Sequence, residues 1–264
     1  MKDKLSIGEV SQLLNISKDT LRYFDKEGIV VAKKGNNNYR YYDDWDINYL
    51  IEYKKYRGFG YNIHHTKEIL YEDSMESLKD KFIKNQKKLE DIIQHYQLVL
   101  DKNIKYISHL QHFEDKLNQY HITDMVDIHY FPVRYNNSYL CKPDISYMMS
   151  IWLNYFPLVD PIMIIEDVKS HDYECGISIT EYYQQRIHLP FNHLVKKTQS
   201  SKAINTIIVA GDKNTFSTEL LHPIYQYISE NQYTIDGPII GYYLARVHES
   251  DGYKRYIELF IPIK

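Results

Sequence analysis

Cysteine is almost missing from this chain: only Cys141 and Cys175 occur. Two such residues cannot staple a disulfide scaffold, and they fit a reducing cytoplasm. They lie far apart and form no close metal-ligand pair. No run of ~18 apolar residues exists, so no membrane span is expected. The opening MKDKLSIGEV has no apolar signal core. A basic excess is lacking too. The net charge is −3, so any nucleic-acid contact must come from local placement of charge. There is no G-x-S-x-G, no G-x-G-x-x-G after a strand and no H-E-x-x-H. These absences point away from an enzyme and imply no cofactor and no metal. One stretch of more than 40 residues, about 74–119, holds neither Gly nor Pro.

What is present divides the 264 residues into three parts, an α+β chain of two domains and a connector. In residues 1–73, Ser6 and Glu9 have capping-box spacing ahead of a short helix whose apolar side is Val10, Leu13 and Leu14. Asn15-Ile16 makes a turn, and Ser17 caps a second helix that Gly28 closes. Two short helices on a tight turn are the helix-turn-helix plan. Gly35-Asn36-Asn37-Asn38 reads as a hairpin turn, and Tyr39-Arg40-Tyr41-Tyr42 as a strand. Asp43 and Asp44 cap a third helix, which Gly58-Phe59-Gly60-Tyr61 ends.

Residues 74–119 read as one helix. Between Glu76 and Lys116 eight Lys and seven Asp or Glu alternate. Apolar residues recur from Leu78 and Phe82 through Ile93, Leu100, Ile107 and Leu117 in steps of threes and fours, with a slip near Leu100. Such a stripe needs a partner chain or domain. In residues 120–264 the pattern turns to strands, at 125–133, 162–168, 173–180, 203–209, 239–247 and 255–263, with helices near 146–156 and 220–231. This is an antiparallel sheet backed by helices, and the order strand–helix–strands could occur twice.

Ile7-Gly8-Glu9, the run Ser17-Lys18-Asp19-Thr20-Leu21-Arg22-Tyr23-Phe24-Asp25, Gly28-Ile29, Tyr39-Arg40-Tyr41-Tyr42 and Gly58-Phe59 together resemble the MerR family over the first 70 residues. The resemblance implies a winged-helix homodimer, joined by an antiparallel coiled coil, on two-fold symmetric double-stranded promoter DNA. Tyr225-Gln226-Tyr227-Ile228, Gly237-Pro238 and the closing Tyr256 to Ile263 are similar to the gyrase-inhibitor-like effector-binding domain of the multidrug-sensing branch. Ile239-Ile240-Gly241 departs from that pattern. The resemblance implies an activator that untwists an overlong promoter spacer for RNA polymerase when a lipophilic ligand binds.

Between Ser17 and Tyr42, six Lys and Arg stand against three Asp and Glu, an excess of three. A helix N-terminus there favours phosphate. Ser17, Lys18, Thr20, Arg22 and Tyr23, with the wing residues Tyr39, Arg40 and Tyr42, are the candidate DNA contacts. Leu21, Phe24 and Tyr41 read as core.

In the terminal strand Tyr256, Glu258 and Phe260 share one face by alternation. A buried carboxylate flanked by aromatics suits an organic cation, unless Arg246, Lys254 or Arg255 pairs with it. Tyr147, Trp152, Tyr155, Tyr182, Tyr183 and Tyr243 are candidate walls. The expected ligand is a small lipophilic cationic aromatic compound. Two alternatives are a drug-sequestering protein and a small-molecule hydrolase using the same pocket.

Overall fold

A computed structural model describes residues 3–35, 39–166, 172–199, 201–211 and 216–264. It divides into two units, Met1–Ile92 and Ile93–Lys264.

Unit 1 opens with strand β1 (Leu5–Ser6), then α1 (Ile7–Leu14), α2 (Lys18–Lys26), β2 (Lys33–Lys34), β3 (Arg40–Tyr42), α3 (Asp44–Gly58), α4 (Ile63–Tyr71) and the first part of α5 (Met75–Gln111). Side-chain caps set the helix starts. Ser6 and Glu9 form a capping box on α1, Ser17 caps α2, and Asp43 and Asp46 form a second box on α3. Each such cap contributes about 1 kcal/mol. Gly28, at φ +64°, ends α2 in a conformation that side chains resist. Leu5–Ser6, expected to open the helix, instead pairs with β3, giving the sheet order β1-β3-β2. Asn36–Asn38 of the expected hairpin turn lie outside the described residues.

The core joins Val10, Leu21, Phe24, Ile29, Leu50 and Tyr53. Leu13, expected on the apolar side of α1, is exposed. Leu78 and Phe82, expected in the long apolar seam, pack within unit 1. The Phe82 ring lies 5.1–6.3 Å from those of Tyr56, Phe59 and Tyr61.

Unit 2 takes up the rest of α5, which ends at Gln111 rather than continuing to residue 119. There follow α6 (Phe113–Lys116), β4 (His121–Met125), β5 (Ile128–Tyr135), β6 (Ser138–Tyr139), α7 (Pro143–Trp152), β7 (Asp160–Ile165), β8 (Glu174–Thr180) and α8 (Glu181–Ile187). The remaining elements are β9 (Lys196–Lys197), β10 (Ser201–Ala210), α9 (His222–Glu230), β11 (Ile239–Glu249) and β12 (Gly252–Pro262). The antiparallel sheet runs β4-β10-β12-β11-β7-β8-β5-β6, with β9 on β5. The strand expected over 125–133 is therefore two strands.

That split shapes the unit. In a flat sheet the six steps from β4 to β5 would cover about 29 Å. Yet Met125 and Ile128 are three residues apart, a reach of at most about 11 Å. The sheet must curl until its two ends approach. Tyr130, Ile162, Ile164 and Ile240 fill the inside. The other face carries α7 on Phe131, Ile177 and Ile179, and α9 on Ile204, Ile257, Leu259 and Ile261. The suspected repeat is visible in the pairing. β10-β12-β11 with α9 mirrors β5-β8-β7 with α7 about the β11–β7 junction.

Candidate functional site

On unit 1 the candidate nucleic-acid surface is α2 with the β2–β3 wing. Ser17 Oγ accepts the Thr20 N–H at 3.0 Å and meets Thr20 Oγ1 at 2.7 Å. Ser17, Lys18, Arg22, Tyr23 and Tyr39 are exposed, while Thr20 and Arg40 are half-buried. Arg22 pairs with Asp19 one turn back at 2.6 Å, both in solvent, where such a pair constrains little. Arg40 donates its Nε to Asp25 Oδ2 at 2.7 Å, and Asp25 Oδ1 accepts the Ala32 N–H at 3.2 Å. Asp25 therefore ties the wing to α2.

Tyr42 corrects the sequence reading. It is 1% exposed and belongs to the core with Leu21 and Leu50, so it cannot reach a groove. Tyr41, expected in the core, is only half-buried. The parity is opposite to that expected, because the face of β3 that bears Tyr42 packs on Leu21 of α2 and Leu50 of α3.

Unit 2 holds a cavity of about 650 Å³ between the curled sheet and the C-terminal part of α5, within the usual range of ligand pockets. Its sheet side presents Glu258 and Phe260 of β12, Tyr242 of β11, Asp160 at the start of β7 and Asn205 of β10. Tyr182 and Tyr183 of α8 form a wall. Lys102, Lys105, Tyr106 and His109 come from α5, and Lys116 from α6.

Glu258 is 2% exposed but not alone. His109 Nδ1 lies 2.7 Å from Oε2, Lys116 Nζ 2.7 Å from Oε1, and Asn205 Nδ2 3.0 Å from Oε1. Burial alone would raise its pKa. The hydrogen bonds from His109 and Lys116 outweigh that and hold it at about 2. None of the expected partners Arg246, Lys254 and Arg255 supplies these contacts. Asp160 pairs with Lys102 at 2.5 Å, and its pKa is raised by burial against the pull of Lys102. Burial, with the negative charges of Asp160 and Glu258, pushes the Tyr242 hydroxyl up. Tyr183 donates to Asp101 at 2.9 Å, and Lys105 sits 4.1 Å above the Tyr182 ring.

Of the ligand residues expected, Glu258, Phe260, Tyr182, Tyr183 and Tyr243 border the cavity. Tyr243 does so with its ring turned away. It pairs in register with Ile257, and its hydroxyl meets Cys175 Sγ at 3.5 Å on the other face. Tyr242, paired with Glu258, is the residue on the cavity side.

The remaining four do not line the cavity. Tyr256 shares the face of Glu258 but lies under Phe113 of α6, ring centroids 4.6 Å apart. Trp152 is fully buried beneath α7 against Phe131, its Nε1 donating to the Pro190 carbonyl at 3.2 Å. Tyr155 packs on the edge of that core, and Tyr147 is 61% exposed. His109 of α5 and Lys116 of α6 were missed because they stand 149 and 142 residues from Glu258, and nothing local in the sequence links them.

Residues 5–73 match the family model of the MerR helix-turn-helix regulatory proteins. The chain is 27% identical over 109 residues to the HTH-type transcriptional regulator HmrR of Rhizobium leguminosarum bv. viciae, a match covering 40% of this chain and 78% of that protein. Among solved structures, the EcmrR–DNA complex aligns over 98% of this chain and 99% of its own at 16% identity and a TM-score of 0.36. The N-terminus of the Bacillus subtilis multidrug transporter activator aligns over 36% of this chain and 97% of its own at 20% identity and a TM-score of 0.29.

Proposed function

Because the chain carries, over residues 5–73, the helix-turn-helix of MerR-family regulators, we infer that it is a homodimeric, ligand-responsive transcription activator. α2 and the wing engage double-stranded promoter DNA through Ser17, Lys18, Thr20, Arg22, Tyr23, Tyr39 and Arg40. Basic side chains supply most of the affinity, and it falls with salt. α5 joins two copies. The unit 2 cavity takes a small lipophilic, cationic aromatic compound. The observation that carries this last reading is the grouping of buried Glu258 and half-buried Asp160 with the Phe260, Tyr182, Tyr183 and Tyr242 side chains around one cavity. Carboxylates compensate a cation, and ring faces attract it by about 0.5–2 kcal/mol each.

A ligand that favours one of two states of the dimer shifts their balance by its differential affinity. Untwisting the promoter spacer costs on the order of 1–10 kcal/mol, of which the ligand need supply only part. Run-off transcription from the DNA upstream of its own coding sequence tests the reading. RNA polymerase with the full chain should give more transcript when tetraphenylphosphonium is added, and the chain should bind that DNA in a gel shift. A chain that binds the cation but not the DNA would be a sequestering protein, and the inference would fall.

A further inference from the structure

The cavity read above as a ligand site already contains cations, and they belong to this chain. Both oxygens of Glu258 meet groups from the segment that covers the cavity, and Oε1 also accepts from Asn205 of the neighbouring strand β10. His109 stands at the end of α5, and Lys116 closes α6. The two sides of these pairs differ in exposure. The Glu258 side chain is 3% exposed, while those of Lys116 and His109 are 26% and 44% exposed. The carboxylate is fixed in the sheet, and its partners have a path to water.

The segment bearing them is short and docks on the sheet through few side chains. α5 stops at Gln111 and α6 is four residues long. Besides Lys116 and His109, the segment is held by the Phe113–Tyr256 ring contact at 4.6 Å, the Thr206 hydroxyl on the Lys116 carbonyl at 3.5 Å, a bridge of Leu117 to Ile207 with the Asn118 N–H on the Ile207 carbonyl at 2.9 Å, and the His121 ring 3.0 Å from the Asp115 carbonyl.

Resting on the reading of this cavity as a site for lipophilic cations, we propose that Lys116, seconded by His109, is a resident cation that a ligand must replace. The charge of the ligand takes over Glu258, and the α6 segment is released. A buried carboxylate left without compensation is costly, and the Lys116 ammonium removes that cost while the cavity is empty. A lipophilic cation exchanges for it with little change in net charge, and the displaced ammonium returns to water. A neutral or anionic compound of the same shape cannot make the exchange. Lys116 thereby sets both charge selectivity and the affinity threshold, because each binding event bears the cost of undocking α6. The undocked segment adjoins the end of α5, so the exchange also defines the two states that a sensor needs.

The test uses the full chain and two probes of matched shape and opposite charge, tetraphenylphosphonium and tetraphenylborate. Calorimetry on wild type, Lys116→Arg and Lys116→Met should show the cation binding Lys116→Met at least about tenfold tighter than wild type, since the tax of displacing the resident cation is gone. Lys116→Arg should behave as wild type, and tetraphenylborate should gain nothing. A second measurement needs no variant. In wild type, hydrogen exchange over residues 108–118 should speed up with saturating cation and not with the borate. If the cation binds wild type but Lys116→Met gains no affinity, or residues 108–118 exchange no faster, Lys116 is a structural partner and the proposal is overturned, while the cavity remains a cation site. If the cation binds neither wild type nor the variants, the reading of the cavity fails and the exchange with it.

Discussion

At the residue scale, Glu258 links charge to stability. Its carboxyl is held at about 2 against an ordinary value of 4.5. A depressed acid stabilises the folded state above its unfolded pKa, and that contribution fades as pH falls through the folded value. The window is thus roughly pH 4.5 down to 2, and the size is about 3 kcal/mol. Urea unfolding of wild type should show that loss, and Glu258→Gln should flatten it. An equal pH slope in both proteins would mean that other carboxylates carry the effect. Tyr42 gives a second test. Its hydroxyl is buried and has no hydrogen-bond partner among the described residues. Tyr42→Phe should leave stability unchanged or raise it by up to about 1 kcal/mol, with operator affinity unaltered. A drop in affinity would restore Tyr42 to the DNA surface. At this scale the sequence showed residue types better than parity. Glu258 and Phe260 fall on the cavity side as alternation within one strand requires. Tyr42 and Tyr243 were placed on the wrong side because their parity depends on neighbouring elements, which a local pattern does not contain.

At the scale of elements, caps and breakers were legible because their chemistry is local. Ser6, Ser17 and Asp43 begin α1, α2 and α3, and Gly28 and Gly58 close α2 and α3. Helix α5 was legible as a helix but not in its division of labour. The slip in its apolar repeat near Leu100 has a physical reason. From Leu98 onward a second face, made by Leu98, Lys102, Tyr106 and His109, serves unit 2. It mixes an apolar residue with polar ones, so a search for apolar periodicity passes over it. The two faces predict different outcomes. Leu98 is buried in the unit 2 core and Leu100 is 58% exposed. Leu98→Ala should cost unit 2 about 2–3 kcal/mol, the lower part of the range for buried Leu. Leu100→Ala should leave that unfolding transition in place and weaken self-association. Chemical unfolding of both variants at several protein concentrations separates the effects, and similar losses would show that α5 has one face rather than two.

For the whole molecule, the question is what covers the outward face of α5. Ile93, Leu100 and Ile107 recur at intervals of seven, with Tyr96 and Leu110 three residues after the first and last of them, and all five are exposed. A single chain does not keep such a stripe in water without cause, and a heptad interval is what a second helix of the same kind would pack against. On the proposed function, a unit that meets DNA with a local excess of only three positive charges also gains most from being duplicated. Two linked reading helices on one symmetric site raise affinity by about 10²–10⁴ without any new contact. The full chain should therefore scatter light as a dimer of about twice 31.7 kDa. Leu100→Glu with Ile107→Glu places like charges in the seam while leaving the Leu98 face untouched. This variant should run as a folded monomer, keep its affinity for tetraphenylphosphonium, and lose at least about 100-fold in operator binding. A variant that stays dimeric would place the interface elsewhere on the chain. A monomer that still holds the operator at wild-type strength would show that one reading helix and wing suffice.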